Sequence, residues 1–197
     1  CGRGHLFRRW FTLVPDCPRC GLHFEREQGY WTGAMAVNIG TQYLLVEFAD
    51  TNIPPHTEKI FFDMVSRGIV PIITHPERNP ILADQPDLIA NWIGVGCLVQ
   101  VTAGSVTGRF GKRAHRSTQT MLRRNMVHFI ATDAHNLTTR PPVLSEAREA
   151  IAREHSAEMA QALSEANPRA TIEGRAIPWR PEPQAEAKRG WLSFLRK

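Results

Sequence analysis

Four side chains of types that bind metal ions lie where apolar runs of the sequence end. A set that mixes carboxylates with imidazoles suits manganese, zinc or iron, and it leaves coordination positions for water and a substrate. Ions held in this way generate a hydroxide nucleophile and neutralise a phosphoryl group during in-line attack. Any one of these residues would by itself be a rim carboxylate or a satisfied polar group, but their recurrence favours a metal site. The four candidate ligands are Glu47, His75, Asp133 and His135.

Two arginines accompany the candidate ligands. Arg78 lies three residues beyond His75, and Arg140 lies five residues beyond His135. A guanidinium group matches the oxygens of a phosphate bidentately. As isolated surface residues they would indicate nothing, but beside a metal cluster they predict a clamp for a substrate phosphate.

The elements that must position these residues form an alternating pattern. Apolar, β-branched runs predict strands, and amphipathic stretches between them predict helices. This order is typical of βαβ units and a parallel sheet, in which active residues lie at the carboxyl ends of the strands. We therefore expect an α/β fold in which the four candidate ligands converge, with His115 and His128 outside the cluster. The predicted strands are 43–48, 69–74, 97–101 and 126–131, and the predicted helices are 54–68, 86–96, 112–125 and 145–167, the last opened by Ser145 and broken near His155 and Ser156.

Charge and cysteine usage exclude several classes of protein. The net charge of +5 is spread along the chain, which argues against nucleic acid as a partner. One basic run without an acid, from Arg109 to Arg124, is either a solvated helix face or a surface for an anionic partner. Cys97 belongs to an apolar run and is expected in a core strand. No secretion signal and no membrane span are predicted, so a cytoplasmic location is expected.

Five phrases of the chain occur in the order VEFADTNIPP, PIITHPERN, LVQVTAGSVTGRFGK, VHFIATDAHN and TTRPP. Together they resemble the PHP-type (polymerase and histidinol phosphatase) protein-tyrosine phosphatases of bacterial capsule and exopolysaccharide loci. The resemblance runs from about Gln42 to Ile172. It implies a distorted parallel β/α barrel, a cluster of three metal ions (usually manganese), and a phosphotyrosine-bearing partner, a capsule or exopolysaccharide tyrosine kinase. It also implies that Glu47, His75, Asp133 and His135 are metal ligands, and that Arg78 and Arg140 bind phosphate.

The chain departs from that family in its first part. Members begin with a His-x-His strand and supply further ligands from their first half, and this chain shows neither. The expectation is therefore the C-terminal half of such a barrel, truncated and with impaired activity. Uncovered strand edges in half a barrel predict self-association. The alternative is a catalytically inactive chimera, or a binding module built on a zinc knuckle.

Residues 1–40 resemble the start of a small bacterial family of unknown function, in which Cys-x-x-Cys knuckles precede membrane helices. Thiolates at Cys1, Cys17 and Cys20 would favour zinc. The expected organisation is a small N-terminal zinc-knuckle-like segment at 1–40, a partial phosphatase domain at 41–174 and a flexible tail at 175–197.

Overall fold

The structure of the chain is a computed structural model, which describes residues 7–9, 12–13 and 42–185. Two short antiparallel strands, β1 (Phe7–Arg9) and β2 (Thr12–Leu13), come first. The three cysteines of the predicted zinc knuckle, Cys1, Cys17 and Cys20, lie outside the described residues. The zinc-knuckle-like segment and its metal therefore stay a prediction.

Four parallel strands form the sheet of the domain, in the spatial order β3-β4-β5-β6. This confirms the α/β fold with a parallel sheet that the alternating sequence pattern predicted. Because every neighbouring pair is parallel, the carboxyl ends of all four strands lie at one edge of the sheet. The strands are β3 (Tyr43–Val46), β4 (Val70–Thr74), β5 (Leu98–Thr102) and β6 (Phe129–Ala131).

Helices connect each strand to the next, as a parallel sheet requires. Pro86 opens α2, where its fixed φ suits the first turn, and Gly96 ends α2 with a φ of 123°. No helix in the described part of the chain is long and apolar enough to cross a membrane. The helices are α1 (Thr57–Ser66), α2 (Pro86–Val95), α3 (Ala103–Val106), α4 (Gly111–Arg123), α5 (Ser145–Glu154), α6 (Ala157–Gln161) and α7 (Asn167–Ile172), with a 3₁₀ turn at Leu82–Asp84 and a π-helical turn at Ala162–Ala166.

The helical stretch after β6 breaks at His155 and Ser156, as predicted. The Ser156 hydroxyl caps α6 by accepting a hydrogen bond from the Met159 N–H at 3.0 Å. The prediction that Ser145 caps α5 was wrong: Leu144 is the capping residue, and no side chain caps that end. Ser145 is already the first helical residue, so its hydroxyl is not in the capping position.

Successive side chains of a strand point to opposite faces of the sheet, and here both sets are apolar. The sheet is therefore covered on both faces. One face, with Ile73, Val99 and Ile130, packs into the main core against helices α1 to α6. Ile72 and its neighbours point to the other face, where a smaller cluster includes Ile177.

Residues 175–185, at the start of the predicted flexible tail, lie against the domain. The Tyr43 hydroxyl donates to the carbonyl of Arg175 at 2.8 Å, and the Trp179 N–H donates to Asn167 at 2.9 Å. The Gln184 N–H donates to the carbonyl of Arg124, again at 2.8 Å. The stretch thus runs along the amino-terminal side of the sheet, opposite the predicted site. The remainder of the predicted tail, 186–197, lies outside the described residues.

Candidate functional site

Glu47 and His75 meet at the carboxyl ends of the adjacent strands β3 and β4. Each comes one residue after its strand, and the strands are in register with Val46 opposite Ile73. Glu47 Oε1 lies 3.3 Å from His75 Nε2. Two ligands of one ion, each about 2.1 Å from it, lie roughly 3.0–3.4 Å apart in octahedral or tetrahedral geometry. The spacing of this pair therefore fits a shared divalent cation.

A second pair of candidate ligands follows β6. His135 Nδ1 lies 2.8 Å from the carbonyl oxygen of Asp133 and 3.8 Å from its Oδ1. The His135 side chain is 56% exposed, against 20% for Asp133. The imidazole thus stands at the rim of the site, while the carboxylate lies deeper.

Arg78 and Arg140 converge on a single carboxylate oxygen. Arg78 Nη1 donates to Asp133 Oδ2 at 2.5 Å, and Arg140 Nη2 contacts the same atom. The two guanidinium side chains are 29% and 26% exposed, so solvent screens these pairs less than it screens ion pairs on the open surface. The position of Asp133 Oδ2 is therefore one at which this chain already stabilises an anionic oxygen with two cations.

The turn that returns Arg140 to the site is built around Asn136. Its Oδ1 accepts hydrogen bonds from the backbone N–H groups of Thr138, Thr139 and Arg140 at 3.0, 2.7 and 2.9 Å. The His135 N–H donates to the Arg140 carbonyl at 3.1 Å and closes the turn. Asn side chains commonly organise such turns by bonding to the backbone just ahead of them. The sequence Asn136–Arg140 therefore fixes the second arginine by local chemistry.

Two of the candidate ligands have backbones in the left-handed region. His75 has a φ of 34° and Asp133 a φ of 51°. A non-glycine residue in such a sparsely populated region costs about 1–3 kcal/mol, and such residues cluster at active sites and ligand clamps. His75 follows β4 directly and Asp133 is the second residue after β6, so the unusual backbone lies at the strand ends that carry the candidate site.

Two buried polar residues that sequence reasoning did not single out support the loop after β4. Glu77 Oε1 accepts hydrogen bonds from Thr102 N, Thr102 Oγ1 and Ser105 Oγ at 3.0, 2.6 and 2.7 Å. Asn79 donates to the carbonyls of Phe48 and Ala49 and accepts from two N–H groups of its own loop. Together they hold the loop of His75 and Arg78 against the segments that follow β3 and β5. Both stand in the phrase PIITHPERN, but their spacing alone did not show that they point inward.

The candidate ligands form two pairs rather than one closed cluster. Among residues 42–185 no group of three or more His, Cys, Asp or Glu side chains is placed to hold a metal ion. Arg78 links the pairs, because it lies three residues past His75 and bonds to Asp133. Their assignment as metal ligands stays a prediction. His115 and His128 do not join them: the first contacts the Ser105 carbonyl, and the second accepts the Val99 N–H inside the sheet.

Three of the six basic residues in the run from Arg109 to Arg124 pair with acids from other elements. Arg109 contacts Glu146 at 2.7 Å, Arg113 contacts Asp84 at 2.6 Å, and Arg124 contacts Asp87 at 2.7 Å. These three carboxylates offset half of the positive charge of the run, which an anionic partner would need. Of the two interpretations, the solvated helix face is the better supported.

Comparison with known proteins gives one family and several relatives. The profile of a family described as capsular polysaccharide synthesis, CpsB/CapC, matches residues 29–173, so the match starts inside the predicted 1–40 segment. Tyrosine-protein phosphatase YwqE of Bacillus subtilis is 33% identical over 155 residues, which are 79% of this chain and 60% of YwqE. Tyrosine-protein phosphatase CpsB of Streptococcus agalactiae is 30% identical over 146 residues, covering 70% of this chain and 58% of CpsB.

The fold is also similar to a solved structure. A crystal structure from a study of YwqE of Bacillus subtilis and CpsB of Streptococcus pneumoniae, described as unique metal-dependent tyrosine phosphatases, superposes with a TM-score of 0.70 at 32% identity. The superposition covers 75% of this chain and 59% of that one. The chain thus spans about 60% of the length of YwqE, of CpsB from Streptococcus agalactiae and of the chain in that solved structure.

Proposed function

Because the chain belongs to the capsular polysaccharide synthesis family CpsB/CapC, we propose that its strand-end site binds phosphorylated tyrosine and takes part in metal-dependent hydrolysis of the phosphate ester. The observation that carries this proposal is the convergence of Arg78 and Arg140 on one anionic oxygen. A phosphate oxygen is the same kind of ligand as Asp133 Oδ2, and two guanidinium groups can bind several phosphate oxygens at once.

The balance of charge in the site supports a divalent cation as cofactor. The site contains two carboxylates, Glu47 beside His75 and Asp133 beside both arginines, so the formal charges of the two carboxylates and the two guanidinium groups cancel. A phosphate monoester adds a charge of about −1.5 to −2 at neutral pH. One or more divalent cations would compensate that charge. We propose manganese, which is one of the metals that mixed carboxylate and imidazole donors suit and the one that the family resemblance implies.

The side chains of this chain would divide the work by position. Glu47 and His75 would hold one cation, and Asp133 with His135 would contribute to another, which would supply Lewis-acid chemistry and a nucleophilic hydroxide at neutral pH. Arg78 and Arg140 would leave Asp133 for the phosphate oxygens and orient the phosphorus for in-line attack. Electrostatic stabilisation and positioning of this kind account for most of the catalysis of phosphoryl transfer.

The proposed substrate is a tyrosine-phosphorylated protein, specifically a tyrosine kinase of capsule or exopolysaccharide assembly. The family description names capsular polysaccharide synthesis, and the relatives are named tyrosine-protein phosphatases. The His135 side chain is 56% exposed, so this rim of the site is accessible to a side chain that protrudes from another protein.

Hydrolysis of a phosphotyrosyl peptide with added manganese tests the proposal. We expect slow, manganese-dependent turnover below the roughly 1–1000 per second of ordinary enzymes, because the described ligands come in pairs. Loss of a charge-assisted contact costs about 1.5–3 kcal/mol, so Arg78→Ala and Arg140→Ala should each lower kcat/KM by about 10- to 150-fold. Arg116→Ala, which removes an exposed arginine of α4, is the matched control and should leave turnover unchanged. Turnover that neither site arginine affects would contradict the assignment.

A second candidate function is phosphotyrosine binding without hydrolysis. It is favoured by the absence, within the described residues, of a group of three metal-ligand side chains. The same peptide distinguishes the two: binding that depends on Arg78 and Arg140, with no phosphate released at any manganese concentration, would support a binding module and exclude the hydrolase.

A further inference from the structure

The ring of Phe110 lies beside both arginines of the site. The guanidinium carbon of Arg78 is 4.5 Å from the ring centroid, and that of Arg140 is 5.7 Å away. Both distances are within the roughly 6 Å at which a cation is attracted to an aromatic face. The same ring therefore contacts the two cations that meet on Asp133.

The position of the Phe110 ring requires a glycine at residue 104. Gly104 belongs to α3, and its carbonyl accepts the Phe110 N–H at 3.3 Å. A Cβ atom at Gly104 would lie 2.6 Å from Phe110 Cε2 and 2.9 Å from Cδ2. A side chain there would push the ring away from its present position, since non-bonded carbons do not approach so closely.

The ring is the contact that would persist when a phosphate binds. In the structure the guanidinium groups share the Asp133 carboxylate, but a bound phosphate would take that place. Arg140 Nε is buried and has no hydrogen-bond partner among the described residues, so few other contacts fix this group. Without a fixed neighbour, long side chains of this kind lose about 2 kcal/mol of rotamer entropy when they are ordered.

We propose that Phe110, packed against Gly104, is a positioning residue that holds both guanidinium groups in the orientation that binds one phosphate. It does not contact the reacting atoms: it keeps Arg78 and Arg140 in place while Asp133 is exchanged for the substrate phosphate. This inference rests on the proposed function, because it assumes that the arginines bind phosphate. Phe110 belongs to the phrase SVTGRFGK, which contains none of the candidate ligands and neither of the two site arginines.

Binding of inorganic phosphate in the presence of manganese, measured by calorimetry, is the first test. Phe110→Leu keeps an apolar side chain but removes the aromatic face, and should weaken phosphate binding about 5- to 30-fold. Phe110→Tyr keeps the face and should bind within about twofold of the wild-type protein. Gly104→Ala should weaken binding as Phe110→Leu does, because the new methyl group displaces the ring. Gly94→Ala, in α2 with open space around its Cβ position, is the matched control and should bind like the wild type.

The arginine side chains give a second readout, which does not depend on phosphate. The mobility of the Arg78 and Arg140 Nε–H groups, measured by ¹⁵N relaxation and assigned with Arg78→Lys and Arg140→Lys, should rise in Phe110→Leu and Gly104→Ala and stay at the wild-type level in Phe110→Tyr and Gly94→Ala. Unchanged mobility of both arginine side chains in Phe110→Leu would overturn the positioning role. So would wild-type phosphate affinity in both Phe110→Leu and Gly104→Ala. A wild-type protein that binds no phosphate would instead overturn the proposed phosphate site, and the role of Phe110 with it.

Discussion

Single residues of this domain bury polar groups, and the hydrogen-bond partners of these groups determine whether their burial is tolerated. Glu77 and Asn79 are almost completely buried, and each joins the loop after β4 to another segment. Buried polar groups are stable when they are hydrogen-bonded, and their loss leaves partners unsatisfied. Their role could not be predicted from the sequence, because the carbonyls, hydroxyls and N–H groups that they bond belong partly to segments about 25–30 residues distant.

His128 makes folding stability depend on pH. Burial, together with the positive charge of Arg180, lowers the pKa of His128 to about 3, and its Nδ1 accepts the Val99 N–H. In the unfolded chain the imidazole titrates near about 6.5. Below that pH the unfolded state binds a proton that the folded state excludes. The contribution of neutral His128 is therefore complete above about pH 6.5 and is lost as the pH falls toward 3.

We expect the free energy of unfolding to fall by about 2 kcal/mol between pH 6.5 and pH 5 from this group alone, at about 1.4 kcal/mol per pH unit. Urea unfolding at several pH values measures it. His128→Gln should show a correspondingly smaller pH dependence. His56→Asn removes an exposed histidine whose φ of 67° asparagine tolerates, and should keep the wild-type slope. An unchanged slope in His128→Gln would contradict the prediction, because it would show that His128 does not contribute to the pH dependence of stability.

Among the elements, the strands and their ends were predictable and the long-range contacts were not. Apolar runs located β3 to β6, and the rule for parallel strands correctly brought Glu47 next to His75. The basic run was ambiguous because the acids that pair with it, such as Glu146, come from other elements. Residues 175–185 look like a tail because they are rich in proline, yet Ile177 is buried in the structure. Periodicity carries no information about such irregular segments.

β3 is an edge strand of the described sheet, and this predicts self-association. Within residues 42–185, β3 pairs only with β4. The nearby helix α1 exposes Ile60 by 50% and Phe62 by 61%. An unprotected strand edge beside exposed apolar side chains is a template for pairing with another chain.

Light scattering over a range of concentrations should give a mass above that of one chain at high concentration. Leu44 lies in β3 outside both apolar clusters, so Leu44→Lys should shift the equilibrium toward the monomer without emptying the core. Leu137→Lys, at an 84% exposed loop position, is the control and should leave association unchanged. A concentration-independent monomer in the wild-type protein would refute the prediction.

For the whole molecule, the central question is whether the two ligand pairs act as one site. Glu47 and His75 follow β3 and β4, whereas Asp133 and His135 follow β6, on the far side of β5. Arg78 bridges the gap by bonding to Asp133. The chain spans about 60% of the length of YwqE and of CpsB from Streptococcus agalactiae. The family resemblance implies further metal ligands from the first half of the family's sequences, a part that this chain does not match.

Titration of the chain with manganese, followed by the electron paramagnetic resonance signal of the free ion, tests the account most directly. If the strand ends form one site, His75→Ala and Asp133→Asn should both weaken manganese binding, by at least the roughly 10- to 100-fold that even outer-shell changes cause. Phosphate should strengthen manganese binding in the wild-type protein. Manganese would bind Asp133 and phosphate would bind the two arginines, so each ligand breaks the same ion pairs and favours the other. His56→Asn should bind manganese like the wild type. Wild-type affinity in both His75→Ala and Asp133→Asn, or no manganese binding by the wild-type chain with phosphate present, would contradict a metal-dependent phosphate site at these strand ends.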